Sequence, residues 1–157
     1  MADFVFNIAK GKVAELHDRV DGNDPSTSGL LVVLLKSGVE SDALMKDRDT
    51  LAAVLGASTE CDFTNYARTE LTDADCSASV VDDSNDRNEA DIPDQTWTSA
   101  GGGTNNTIAK LLICYIPSVG VSADSAVIPL CAYDFSITTN GGDITAQVNS
   151  AGYFRAS

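Results

Sequence analysis

Phe135-Ser136-Ile137-Thr138-Thr139 and Ile144-Thr145-Ala146-Gln147-Val148 flank Asn140-Gly141-Gly142-Asp143. Apolar and polar residues alternate on both sides, which is the period of a strand with one buried face. The Asn-Gly-Gly-Asp tract between them has the chemistry of a tight turn, so the stretch predicts a β-hairpin.

Working outward from this stretch, the same vocabulary recurs upstream. Thr107 to Ile116 and Ala126 to Tyr133 are apolar runs with β-branched and aromatic residues, the first ending at Pro117. They predict buried strands. Leu30 to Lys36, bounded by Gly29 and Gly38, predicts a buried central strand. Thr59 to Thr69 predicts a further strand around Phe63 and Tyr66. Ser99 to Asn106, with Gly101-Gly102-Gly103, reads as a flexible loop without the Gly-Lys-Ser/Thr ending of a phosphate loop.

Helical signals lie in the N-terminal half. Val5, Ala9, Val13, Leu16 and Val20 recur at steps of three and four, predicting a helix over about residues 5–20, weakened at Gly11. Asp21-Gly22-Asn23-Asp24-Pro25 ends it. A second short helix is predicted over Asp47 to Leu55, with Asp47 or Asp49 as its cap. Leu71 to Pro93 is the most polar segment and reads as an acidic surface excursion. The expected fold is mainly β with a helical N-terminal part: one domain over residues 1–157, an antiparallel β-sandwich, jelly-roll-like or barrel-like.

Charge narrows the function. With 23 acidic and 10 basic residues the formal net charge is −13. Such a surface repels phosphate, which argues against direct nucleic-acid contact and against anionic membranes. No secretory signal or membrane-length apolar run is visible, so a soluble product of a cytoplasm is expected.

Chemistry-bearing residues are few. The single histidine, His17, falls among Glu15, Asp18 and Arg19 and reads as solvated on the polar face of the first helix. No nucleophile elbow accompanies it. Cys61, Cys76, Cys114 and Cys131 form no close pair, so neither a zinc site nor a disulfide framework is expected. Asp82, Ser84, Asp86 and Asn88 alternate like calcium ligands, but Arg87 stands where the loop needs Gly and Pro93 where it needs Glu. No enzyme activity, metal or cofactor is predicted. Aromatic residues remain: Phe4 and Phe6 near one end, Tyr153 and Phe154 near the other, and Trp97 between two threonines. These five are the interface candidates, with Trp97 the preferred anchor. Local core packing is the competing reading of the aromatic ends.

The order of segments resembles small virion structural proteins of tailed bacteriophages, a group of head-decoration, minor structural and tail-fibre-like proteins. The resemblance rests on the N-terminal helix, Gly29 to Leu35, Phe63-Thr64-Asn65-Tyr66-Ala67-Arg68, Ile92-Pro93-Asp94-Gln95-Thr96-Trp97, and Ile144 to Val148 with Gly152-Tyr153-Phe154-Arg155-Ala156. It spans nearly the whole chain, and none of its motifs encodes a chemistry. It implies a subunit present in many copies in a virion made in the host cytoplasm. The expected partners are the major capsid protein and other copies of this chain. A capsid decoration or cement role is the leading expectation. The alternatives are a tail or head–tail junction component and, in another class, a receptor- or carbohydrate-binding module on a fibre.

Overall fold

The structure is a computed structural model that describes residues 2–156. Its centre is a five-stranded antiparallel sheet in the order β1-β8-β7-β2-β3. These strands are β1 (Phe4–Val5), β2 (Gly29–Lys36), β3 (Thr69–Leu71), β7 (Thr107–Ile116) and β8 (Ile128–Thr138). Two smaller antiparallel sheets accompany it. One joins β10 (Phe154–Ala156), β5 (Arg87–Ala90) and β4 (Val80–Asp82); the other pairs β6 (Gln95–Trp97) with β9 (Ile144–Ala146). The chain is thus a mainly β, antiparallel, single-domain protein with a helix near its N-terminus, layered like a sandwich.

β2 is apolar from Leu30 to Leu35 and β7 from Leu111 to Ile116 because both faces of the sheet are covered there. Register pairs Leu34 with Leu111, Leu111 with Tyr133, and Val32 with Ile113 on one face. Val33, Leu112, Ala132 and Phe4 line up on the other. The first face lies under the β6–β9 ribbon and Tyr153. The second lies under Phe4, Phe6 and the short helix α2 (Asp42–Met45). Leu112, Leu34 and Leu130 are fully buried in consequence.

The N-terminal helix is shorter than its periodicity predicts. Phe4 pairs with Ala132 as β1, Asn7–Ala9 form one 3-10 turn, and α1 runs only over Val13–Asp21. Gly11 sits at φ +78°, outside the right-handed helical region, and separates the two parts. Apolar residues before it face the core from a sheet edge, so a helical spacing there carried no helix.

The second helix, α3, covers Leu51–Leu55. Its cap is Thr50, whose hydroxyl accepts the Ala53 N–H at 3.2 Å, rather than Asp47 or Asp49. Of the strand expected over residues 59–69, only a bridge at Glu60 to Leu35 and the first residue of β3 form. The segment is held instead by ion pairs: Arg68 grips Glu60 at 2.7 Å and Asp124 at 2.6 Å. Tyr66 donates to Glu60 at 2.8 Å while accepting the Leu34 N–H at 3.1 Å. The hydrogen bond from Arg68 holds the Asp124 carboxyl below its ordinary value.

Two further segments take forms that their local sequence does not announce. The acidic stretch over residues 71–93 contains the β4–β5 hairpin, and β10 zips onto β5 through Phe154–Ala90, Arg155–Glu89 and Ala156–Asn88. Arg87, between Asp82 and Glu89, supplies the cation that lets these acidic strands pair. The Asn140–Asp143 turn does not close a β8–β9 hairpin either. β8 pairs with β7, whereas β9 crosses to β6. The reason is a competing partner: Ala100 N–H bonds Gly142 O at 2.9 Å, Gly141 N–H bonds Ala100 O at 2.7 Å, and Ser99 N–H bonds the Asp143 carboxylate at 2.7 Å. The glycine loop and the Asn-Gly-Gly turn thus hold each other. Further bonds from Gly101 N–H to Thr64 O and from Gly102 N–H to Asn105 Oδ1 tie down a loop that its composition predicts to be flexible.

Gly152 turns the chain into β10 at φ +87°, and a Cβ there would lie 2.3 Å from the Ala90 carbonyl oxygen. Gly152→Ala therefore meets both a left-handed backbone and a backbone clash. We expect it to lower unfolding stability by about 2 kcal/mol, read from urea melts. An unchanged midpoint would mean that β10 does not hold β5.

Candidate interaction surface

β8 has eleven residues, but β1 covers only two of them on its outer edge, Cys131 and Ala132. From Asp134 to Thr138 that edge has no strand neighbour among the described residues. An open edge presents unpaired N–H and C=O groups, and proteins usually block such edges or use them. Here the first amide beyond β1 is capped: Asp3 Oδ1 accepts the Asp134 N–H at 2.8 Å.

Beside this edge lies a pocket of about 340 Å³. Leu111 and Ile113 of β7 and Tyr133 and Phe135 of β8 line it from the main sheet. Ala146 to Asn149, Ile92 and Gln95 line it from the β6–β9 side, and Gly152 and Tyr153 complete the lining. The lining is largely apolar, with Asp3 and Asp134 its only carboxylates among the described residues. Burial pushes both tyrosine hydroxyls well above their ordinary range, so they stay protonated. Tyr133 donates its hydroxyl to the Tyr153 carbonyl, fixing the end of the pocket.

Under the same strands runs a buried cation. Lys110 of β7 is fully buried and pairs with Asp134 at 2.7 Å and Asp42 at 3.1 Å, with the Ala2 carbonyl at 3.3 Å. A lysine inside an apolar strand is the sequence signal that could have disclosed this site, since buried cations need partners.

The five aromatic candidates are placed as follows. Phe6 is fully buried, and Phe4, at 9% exposure, packs edge-on against it at 5.2 Å. Trp97 is 4% exposed and its indole N–H donates to the Ala67 carbonyl at 3.0 Å. As a surface anchor or a sugar-stacking platform it offers no free face. Tyr153 is buried beside the pocket, and Phe154 is half-buried in β10. Of the five, Tyr153 lines the pocket beside the open edge, and Phe4 pairs with Ala132 just before that edge begins.

His17 is likewise not solvated. It is fully buried, its Nε2 lies 2.8 Å from the Ser77 carbonyl oxygen, and Nδ1 faces the Tyr153 hydroxyl at 3.4 Å. A carbonyl can only accept, so Nε2 carries the proton of that bond. The helix begins at Val13, and residues 13, 17 and 20 then share its inner face. All four cysteines are free and buried; burial raises the thiols of Cys61, Cys76 and Cys131 to about 12 and that of Cys114 further. Buried thiols of this kind stay protonated and unreactive. Among the described residues no cluster of three or more His, Cys, Asp or Glu side chains is arranged to hold a metal ion.

A second surface lies on β4, where Val80 and Val81 are 61% and 68% exposed on the free edge of the three-stranded sheet. A shallow cleft beside it is bordered by Asp75, Glu89 and Asp91. No family model matches this chain, and no curated protein or solved structure is similar to it.

Proposed function

We propose that this chain is a structural subunit of a tailed-bacteriophage particle, and that it decorates the outer face of the capsid. The observation that carries the reading is the uncovered edge of β8 above an apolar pocket. It is a feature suited to joining another protein chain. The rest of the molecule supports a passive, load-bearing part. The central strands of its main sheet are buried on both faces, and its one histidine and four thiols are enclosed in the core. The acidic exterior suits a position outside the shell, away from packaged nucleic acid. The partners on this reading are the major capsid protein and neighbouring copies of the chain. Association would rest on buried area and added strand hydrogen bonds, with about 800 Å² per partner as the usual scale of a stable contact.

Mass spectrometry and electron cryo-microscopy of intact particles assembled with this chain test the proposal. A copy number comparable to that of the major capsid protein, with density outside the shell, is the expected result. A single ring at a vertex or along the tail would move the chain to the junction or tail. Absence from purified particles would overturn the structural role.

A further inference from the structure

We infer that the open stretch of β8, Asp134 to Thr138, accepts an extended cationic segment of a partner protein as an added strand; this rests on the structural-subunit reading above. Three observations converge on that occupant.

The first is the unpaired lane. β1 runs antiparallel to β8 and begins opposite Ala132, and among the described residues no strand occupies the lane beyond it. The chain before β1 leaves this lane, because the Ala2 N–H bonds Asp42 Oδ2 at 2.7 Å and the Ala2 carbonyl faces Lys110. β8 is held on its other side by β7 at both ends of this stretch, through Lys110–Asp134 and through Ile108–Ile137 and Thr107–Thr138, with a bulge at Phe135–Ser136 between them, so its course is set before anything binds. A preformed edge reduces the ordering cost of strand addition.

The second is the pocket. Side chains of an added strand alternate between two sides. Those on the pocket side would meet Phe135, Tyr153 and Val148 in a space of about 340 Å³, large enough for one aliphatic side chain of leucine or methionine size.

The third is charge. The carboxylates at the slot are Asp3 and Asp134, and no lysine or arginine lines it. Asp134 is paired with Lys110 beneath the sheet, whereas no cation pairs with Asp3 among the described residues. The whole chain carries −13, so a second copy of it approaches against like charge. A lysine- or arginine-bearing strand is drawn to the same place.

The probe is a fluorescein-labelled octapeptide of alternating lysine and valine, with an alternating glutamate and valine octapeptide as control, each titrated into the full chain. Amide hydrogen exchange then locates the contact. Saturable, salt-weakened binding of the cationic peptide with added protection at residues 135–138 is expected. Asp3→Asn keeps an acceptor for the Asp134 amide and removes the charge; it should weaken binding about two- to fivefold. Val148→Trp fills the pocket from a partly exposed position and should weaken binding about tenfold or more, with an unchanged melting temperature showing that the fold is intact. No saturable binding, equal binding of the glutamate peptide, or full binding to both variants overturns the inference. So does peptide-free dimerisation, by sedimentation, that protects the same amides, since a second copy would then occupy the lane. Failure of the peptide with the chain present on particles counts against this slot alone. Absence from particles counts against the structural role, whatever the peptide does.

Discussion

Phe6→Ala is expected to cost the fold about 3–5 kcal/mol, read as a lowered urea midpoint at unchanged slope. The side chain is fully buried. Its backbone is held as firmly as its ring: Phe6 N–H bonds Leu130 O at 2.9 Å, and Phe6 O accepts the amides of Ala9 at 2.9 Å and Lys10 at 3.2 Å. Phe4 packs against the ring at an interplanar angle of 63°, a favourable edge-to-face contact. Truncation would leave a cavity that these bonds prevent from collapsing. The variant also decides between two roles for an aromatic N-terminus. A residue reserved for a neighbouring subunit can be truncated with little loss of monomer stability and a clear loss of association. A loss below about 1 kcal/mol would remove Phe6 from the core and return it to an interface.

The readings that succeeded and failed in the sequence share a physical cause. Residues 30–36 and 107–116 disclosed themselves because a strand buried on both faces is dominated by apolar residues, and their shortness, their β-branched content and the flanking glycine or proline separate them from a buried helix. Periodicity misled where two elements share one apolar stripe. Val5 and Ala9 match a helical spacing with Val13, yet they reach the core from a strand edge and a 3-10 turn. His17 was assigned to the wrong face by its charged neighbours, although its position four residues after Val13 and three before Val20 places it inward. The Asn-Gly-Gly-Asp turn shows the limit of local chemistry. It specifies a reversal but not the strands that the reversal joins, and those were set by bonds to Ser99 and Ala100, some forty positions earlier. The open edge of β8 had the least local signature of all. It exists because β1 is short, a relation between segments more than 120 residues apart.

Lys110→Met should cost about 3 kcal/mol at neutral pH, with a loss that shrinks as the solution is acidified. The substitution keeps most of the buried stem, so packing changes little and the charge is what disappears. Two carboxylates then lose their cation. Asp42 and Asp134 have side chains 19% and 37% exposed, so water reaches Asp134 in part and the cost falls at the low end for a broken buried pair. In the native protein the Asp42 carboxyl faces opposing influences. Burial, the largest, pushes it up; the Ala2 N–H and Lys110 act the other way, and the carboxyl ends below its ordinary 3.8. A depressed native value means stability that is present above the unfolded value and is lost as pH falls through the lower native one. Removing Lys110 deletes a large part of that depression. The difference between native protein and variant is therefore full at about pH 7 and narrows as the Asp42 carboxyl takes up its proton in acid. Urea melts of both proteins across that interval measure it. Adding Asp134→Asn to Lys110→Met should recover part of the loss, because one stranded charge is gone. A deficit that stays constant from neutral to acid pH, or a double variant less stable than Lys110→Met alone, would show that Lys110 serves the sheet by packing and not by charge.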